Sequence, residues 1–230
     1  MNLSEANPVE QEKVRAVPTL DAVLVMVITF FLVIFLGAIF IFTLGTGVAL
    51  ILGELVILVV PLGYLLLKRI DVKSYVGLDV TPKFILLGIG LGIPLLFLNG
   101  AVTQLLTVIF GTSQVVEESS AIFTSLSGST SGLIMVIAAL SLAGVCEEFA
   151  LRGFLQNTIN RRYSFIPAVI VSSVTFGLFH FDPQLVYIFS TLIAGLVLGY
   201  IYHRWNSYVV SATAHSTMNL IVLAVWLLAL

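Results

Sequence analysis

Of 230 residues, 59% are hydrophobic and 10% charged, where an ordinary soluble domain carries roughly 25% charged residues. With a mean hydropathy of +1.13, this composition excludes a soluble globular protein and predicts an all-α, polytopic transmembrane helix bundle. The net charge of −2 comes without any basic block, so nucleic acid is not an expected partner, and the single cysteine, Cys146, rules out an internal disulfide.

Residues Met1 to Pro18 form a polar, mixed-charge tail, read as disordered. The apolar run after it is about twice the length of a signal-peptide core, so it is expected to be a retained first span. Hydropathy predicts seven spans: Ala22–Leu44, Val48–Leu67, Phe84–Phe110, Gly132–Leu155, Phe165–Phe181, Leu185–Tyr202 and Tyr208–Leu230. An eighth half-span in the Ser/Gly-rich segment Gly111–Ser131 is the alternative. Within that segment Glu117 and Glu118 have no arginine four or five residues on, and they are expected in a solvated loop. In domain terms, 1–18 is a tail, 19–131 holds transmembrane helices without a motif, and 132–230 is the core that carries chemistry. No coiled coil, P-loop, dinucleotide fingerprint, zinc ribbon or internal repeat is present.

Charge supports the count of seven. One side then receives Lys13, Arg15, Lys68, Arg69, Lys73, Lys83, Arg161, Arg162 and Arg204, while the opposite connections hold Glu117, Glu118 and Asp182 and no Lys or Arg. The positive-inside rule places the N-terminus in the cytoplasm and the C-terminus outside, in a membrane expected to be a prokaryotic plasma membrane.

Three clusters of polar residues interrupt the later spans. In the fourth, Cys146-Glu-Glu-Phe-Ala-Leu-Arg-Gly153 puts two carboxylates and an arginine at a depth where ionised groups usually mark function. Glu148 and Arg152 are spaced to pair along one helix face. Glu147 lies about 100° away with Gly144 and Leu151 as vertical neighbours, so it needs a partner from another helix. His180, late in the fifth span, and Glu147 each lie about fifteen residues from the intervening turn, hence level in an antiparallel hairpin at about 22 Å. Gly177 on the His180 face permits close helix approach. In the seventh span, His215 and Asn219 share a face at a depth close to that of Glu147. A carboxylate with a histidine can orient and deprotonate water, and an imidazole and an amide can hold the oxyanion that forms. Amide hydrolysis inside the membrane fits this set, with Glu147 and His180 on the water and His215 and Asn219 on the oxyanion. A zinc ion on Glu147, His180 and His215 is the alternative these residues leave open. Cys146 is read as a core filler. Glu54, in the second span, is expected to cap the cavity, meet Arg152 or face water.

Glu147-Glu148-x-x-x-Arg152, Phe176-x-x-x-His180 and His215-x-x-x-Asn219, each on its own span and in this order, resemble the three motifs of the CPBP family. That family holds the CAAX-processing proteases and the bacteriocin-processing or immunity proteins, also called Abi, related to type II CAAX prenyl endopeptidases. The resemblance covers about Leu133–Leu230. It implies a membrane-embedded endopeptidase in which Glu147 is the catalytic base, His180 helps to activate water and His215 and Asn219 stabilise the oxyanion. Glu148 and Arg152 would be structural or substrate-orienting. No cofactor is implied in the glutamate-activated-water mechanism. The expected partners are the bilayer and a membrane-associated or lipidated peptide substrate, and nothing in the sequence sets an oligomeric state. Two other readings are a non-catalytic immunity or binding protein on the same fold and a proton-relay transporter, against which the lack of internal repeats counts.

Overall fold

The computed structural model describes residues 17–228, so most of the polar tail lies outside the described residues. The described chain is helical almost throughout: α1 Thr19–Leu44, α2 Thr46–Leu67, α3 Val72–Val76, α4 Pro82–Phe110, α5 Gln114–Ser127, α6 Thr130–Arg162, α7 Phe165–Phe179, α8 Val186–Trp205 and α9 Tyr208–Leu228. Six of these, α1, α2, α4, α6, α8 and α9, are long and apolar enough to cross a membrane. In hydrocarbon no water is at hand for backbone N–H and C=O groups, and a helix satisfies them within its own segment. The protein is an integral membrane helix bundle.

The fifth predicted span departs from expectation in length. α7 has 15 residues, about 22 Å at 1.5 Å per residue, against roughly 30 Å of hydrocarbon. It starts at the basic face, beside Arg161 and Arg162, and stops inside the bundle. Residues 180–185 then turn the chain at that depth. Asp182 is buried and accepts from the backbone N–H of Gln184 (3.1 Å) and Tyr187 (2.8 Å), which satisfies donors that the start of α8 leaves open.

α6 is the central element, packed against α2, α5 and α9, with its C-terminal half also touching α7 and α8. Its middle section, Phe149–Gln156, is wound as a π-helix and every residue in it is buried. At the opposite extreme, α1 and α4 turn Phe35, Phe42, Phe97 and Val108 outward, as lipid-facing helices do. The Ser/Gly-rich segment is not a loop. Ser113 accepts from the Val116 N–H and caps the start of α5, and Ser120 and Thr124 donate to carbonyls one turn back. Glu117 and Glu118 are exposed on it, as expected of that pair.

α3 seals the basic face. Its Tyr75 hydroxyl meets Thr158 Oγ1 at 2.7 Å, Asn157 donates to the Tyr75 carbonyl, and the Arg161 guanidinium lies over the Tyr75 ring. Burial pushes the Tyr75 phenol up from its ordinary pKa.

Gly177 is one of the points where α7 and α8 approach closely. A Cβ there would stand 2.7 Å from the Ile188 carbonyl oxygen and 3.2 Å from Leu192 Cβ, whereas one on Gly90 of α4 would meet nothing within 4 Å. Gly177→Ala should therefore cost about 1–3 kcal/mol through overpacking, and Gly90→Ala should be neutral or slightly stabilising. Thermal unfolding of both variants in detergent, against the parent, checks the contrast.

Candidate active site

The three motifs meet between α6, α7 and α9, at the level where α7 ends. Arg152 comes first, because a guanidinium buried in apolar surroundings needs a counter-charge. Its Nη1 donates to Glu148 Oε1 at 2.6 Å, with both side chains fully buried. Its Nη2 donates to the Gly195 carbonyl of α8 at 3.1 Å, and its planar head lies 4.7 Å from the centre of the Phe176 ring. One turn on, Gln156 repeats the contact with the Gly199 carbonyl at 2.9 Å. The expected Glu148–Arg152 pair therefore forms, and α8 accepts it along a Gly-x-x-x-Gly stripe that leaves backbone carbonyls within reach.

Glu148 Oε1 is shared. His215 Nδ1 lies 3.2 Å from it, which orients the ring so that Nε2 faces Glu147 Oε2 at 3.7 Å. From the other side His180 Nε2 faces Glu147 Oε1 at 3.9 Å. His180 is fixed through a helix end: its Nδ1 is 2.9 Å from the Phe176 carbonyl, one of the carbonyls the end of α7 leaves without an intrahelical donor. A carbonyl only accepts, so Nδ1 carries the proton and the neutral ring presents the Nε2 lone pair to Glu147. The Phe176 ring stands edge-on to both imidazoles, with centroids 4.8 Å from His180 and 5.7 Å from His215.

Glu147, His180 and His215 are thus brought together. The two N···O separations exceed hydrogen-bond length and have the span that a bridging water fills. Asn219 lines the same cavity and spends one amide hydrogen on the Leu140 carbonyl at 3.3 Å, leaving the second available. Among the described residues, no three His, Cys, Asp or Glu side chains converge closely enough to hold a metal ion. Cys146 is buried away from the cavity lining.

The cavity beside Glu147 has a volume of about 500 Å³. Its wall takes Leu50 from the start of α2, Thr103 from the last third of α4, Phe123 from α5, Ala139 from the first third of α6, Tyr187 from the start of α8 and Trp226 from the end of α9. In an alternating bundle all of these lie toward one face, the face whose connections carry Glu117 and Glu118. At the basic face α3 packs against the end of α6. Glu54 lines this cavity and does not meet Arg152. Asn99 and Tyr187 escaped the sequence reading. Asn99 could have been found as the one amide amid the apolar run Leu95–Gly100, whereas Tyr187, edge-on to His180 at 4.8 Å, has no local signal in a helix rich in aromatics.

Residues 129–221 match the family model described as Rce1-like, type II CAAX prenyl endopeptidase Rce1-like. The stretch spans all three motifs and bears out the resemblance they carry. No curated protein and no solved structure matches the chain.

Arg152→Met removes the cation and strands the Glu148 carboxylate among apolar helices. It should cost about 3 kcal/mol or more. Replacing Glu148 by Met in the same chain should recover part of that loss, because two apolar side chains then stand where the pair stood. Thermal unfolding of the single and double variants in micelles measures the recovery.

Proposed function

We propose that the protein is an intramembrane endopeptidase that hydrolyses a membrane-associated or lipidated peptide with a water activated by Glu147 and His180. The observation that carries this reading is the placement of Glu147 between two histidine Nε2 atoms, 3.7 and 3.9 Å away, on the wall of a cavity large enough for an extended peptide segment. The match of residues 129–221 to an endopeptidase family supports it.

In this mechanism the Glu147 carboxylate takes a proton from water while the His180 Nε2 lone pair accepts the other O–H and aims the oxygen. The oxygen adds to the scissile carbonyl carbon. The charge that develops on the carbonyl oxygen meets the free amide hydrogen of Asn219 and His215 Nε2, which carries a hydrogen in the imidazolium form. As the C–N bond breaks, the proton held by Glu147 passes to the leaving amine. Glu148 and Arg152 act on the site only through His215 and through the fixed position of α6. No step requires a metal.

Charge placement supports an N-terminus in the cytoplasm and a cavity that opens outside, since the open face is the one whose connections lack Lys and Arg. The substrate then approaches from the extracytoplasmic leaflet.

Glu147→Gln keeps the shape and removes the base. Cleavage of a membrane proteome by the purified protein, read as new C-termini by mass spectrometry, should fall about 10²–10⁴-fold with the thermal transition retained. A chelator should leave the parent's cleavage intact, and turnover that persists in Glu147→Gln would reject the mechanism. Sidedness has its own check, in a Cys146→Ala background. A membrane-impermeant maleimide added to intact spheroplasts should label Ser119→Cys on α5, and should reach Lys73→Cys on α3 only after permeabilisation. The opposite pattern inverts the orientation.

A further inference from the structure

The mechanism leaves one half-buried carboxylate of the cavity without a task. Glu54 of α2 stands on the same cavity wall as Glu147, and its Oε2 is shut off from solvent with no hydrogen-bond partner. Asn99 of α4 lines the same space, and its Oδ1 is likewise buried and unpartnered. Both orphans are acceptors. Among the described residues no lysine or arginine lines the cavity, and Arg152 is held by Glu148 and the Gly195 carbonyl. Leaving buried acceptors unmade is costly, and in a low-dielectric setting the cost is largest for the carboxylate.

We propose that Glu54 and Asn99 form a substrate-binding subsite that takes a cationic donor, the side chain of a lysine or arginine in the bound peptide, and that rejects a carboxylate at the same position. An ammonium gives a hydrogen to the Glu54 carboxylate and supplies its counter-charge, with Asn99 beside it on the same wall. A carboxylate there faces Glu54 with Glu147 on the same wall. The subsite comes from α2 and α4, outside the matched residues 129–221, so the half of the chain without motifs selects what the other half cuts. That the ligand is a peptide rests on the endopeptidase reading; the acceptor pair does not.

Binding rather than turnover is therefore the measurement. The probes are fluorescein-labelled apolar decapeptides with a single lysine at successive positions, each paired with its Nε-acetyl twin. They are titrated by fluorescence anisotropy against the intact Glu147→Gln protein in micelles. At one position acetylation should weaken binding about tenfold or more, the scale of one charge-assisted hydrogen bond. Adding Glu54→Gln, which is isosteric, should bring the two affinities to within about threefold, and adding Asn99→Ala should narrow the ratio to an intermediate value. A merely structural Glu54 would shift both twins alike and leave their ratio unchanged. Equal binding of the twins at every position, no binding at all, or a lysine preference that survives Glu54→Gln overturns the subsite. If the preference holds while the parent protein cleaves nothing, the endopeptidase reading falls and the subsite stands. If cleavage proceeds with no lysine preference, the reverse is true.

Discussion

The Glu148–Arg152 pair is the constraint on which the rest of the arrangement depends. Two opposite charges with no solvent exposure are tolerable in the middle of a bundle only when they neutralise each other and find further partners. Each partner ties down another helix. Gly195 brings α8 to the arginine, His215 brings α9 to the glutamate, and the Phe176 ring of α7 covers the guanidinium. Once these are set, the remaining acid of the dipeptide has nowhere to turn except toward the space between α7 and α9. Adjacency in sequence thus gives the two carboxylates opposite fates: one holds helices together and the other is kept free at the cavity.

The short α7 is the second device. A full-length span would carry its terminal carbonyls out to the interface, where water or headgroups satisfy them. Because α7 stops after 15 residues, its end falls at the depth of Glu147, and its orphan carbonyl at Phe176 is met by the Nδ1 of His180. The same hydrogen bond that finishes the helix sets which imidazole nitrogen faces the acid. The gap left beyond α7 is part of the cavity, bordered by His180 and Tyr187 and roofed in part by α5. On the opposite face α3 packs its tyrosine and valine against α6.

Much of this was legible from the chain. The i, i+4 spacing of Glu148 and Arg152 and the equal distances of Glu147 and His180 from one turn are consequences of helix geometry alone, and the coordinates agree with both. Six of the seven expected spans are helices long and apolar enough to cross a membrane, and the expected fifth span is the short α7. The π-wound section of α6 was not legible, since Phe149–Gln156 reads as ordinary apolar helix with a charged residue. Its winding answers to tertiary contacts, with Arg152 and Gln156 reaching carbonyls on α8, and no local preference encodes that. α5 entered only as the alternative half-span, for a different reason. Its Ser and Thr content argues for a connection, but the hydroxyls bond back to carbonyls of their own helix, while Val116, Ser119, Ser120 and Phe123 present one face to the cavity. The Ser113 cap with Glu117 in the first turn was the available signal.

The division between the halves of the chain follows from the same electrostatics. Arg152 is spoken for by Glu148, His215 turns one nitrogen to that glutamate, and His180 spends one on a helix end. None of the charges that hold the motif-bearing helices together is therefore free to greet a ligand, and what these helices offer the cavity is reactive edges. On the proposed reading, recognition comes from groups whose hydrogen-bonding capacity the fold has not consumed, and among the described residues the buried unpartnered acceptors on this wall belong to Glu54 and Asn99. α2 and α4 make few demands on the motif helices beyond packing, α4 chiefly against α9 and α2 against α6. Side chains on their cavity faces can change without unseating the Glu148–Arg152 pair. A bundle built this way holds Glu147, His180 and His215 in place on α6, α7 and α9, and on the proposed reading the opposite wall sets which peptide reaches them.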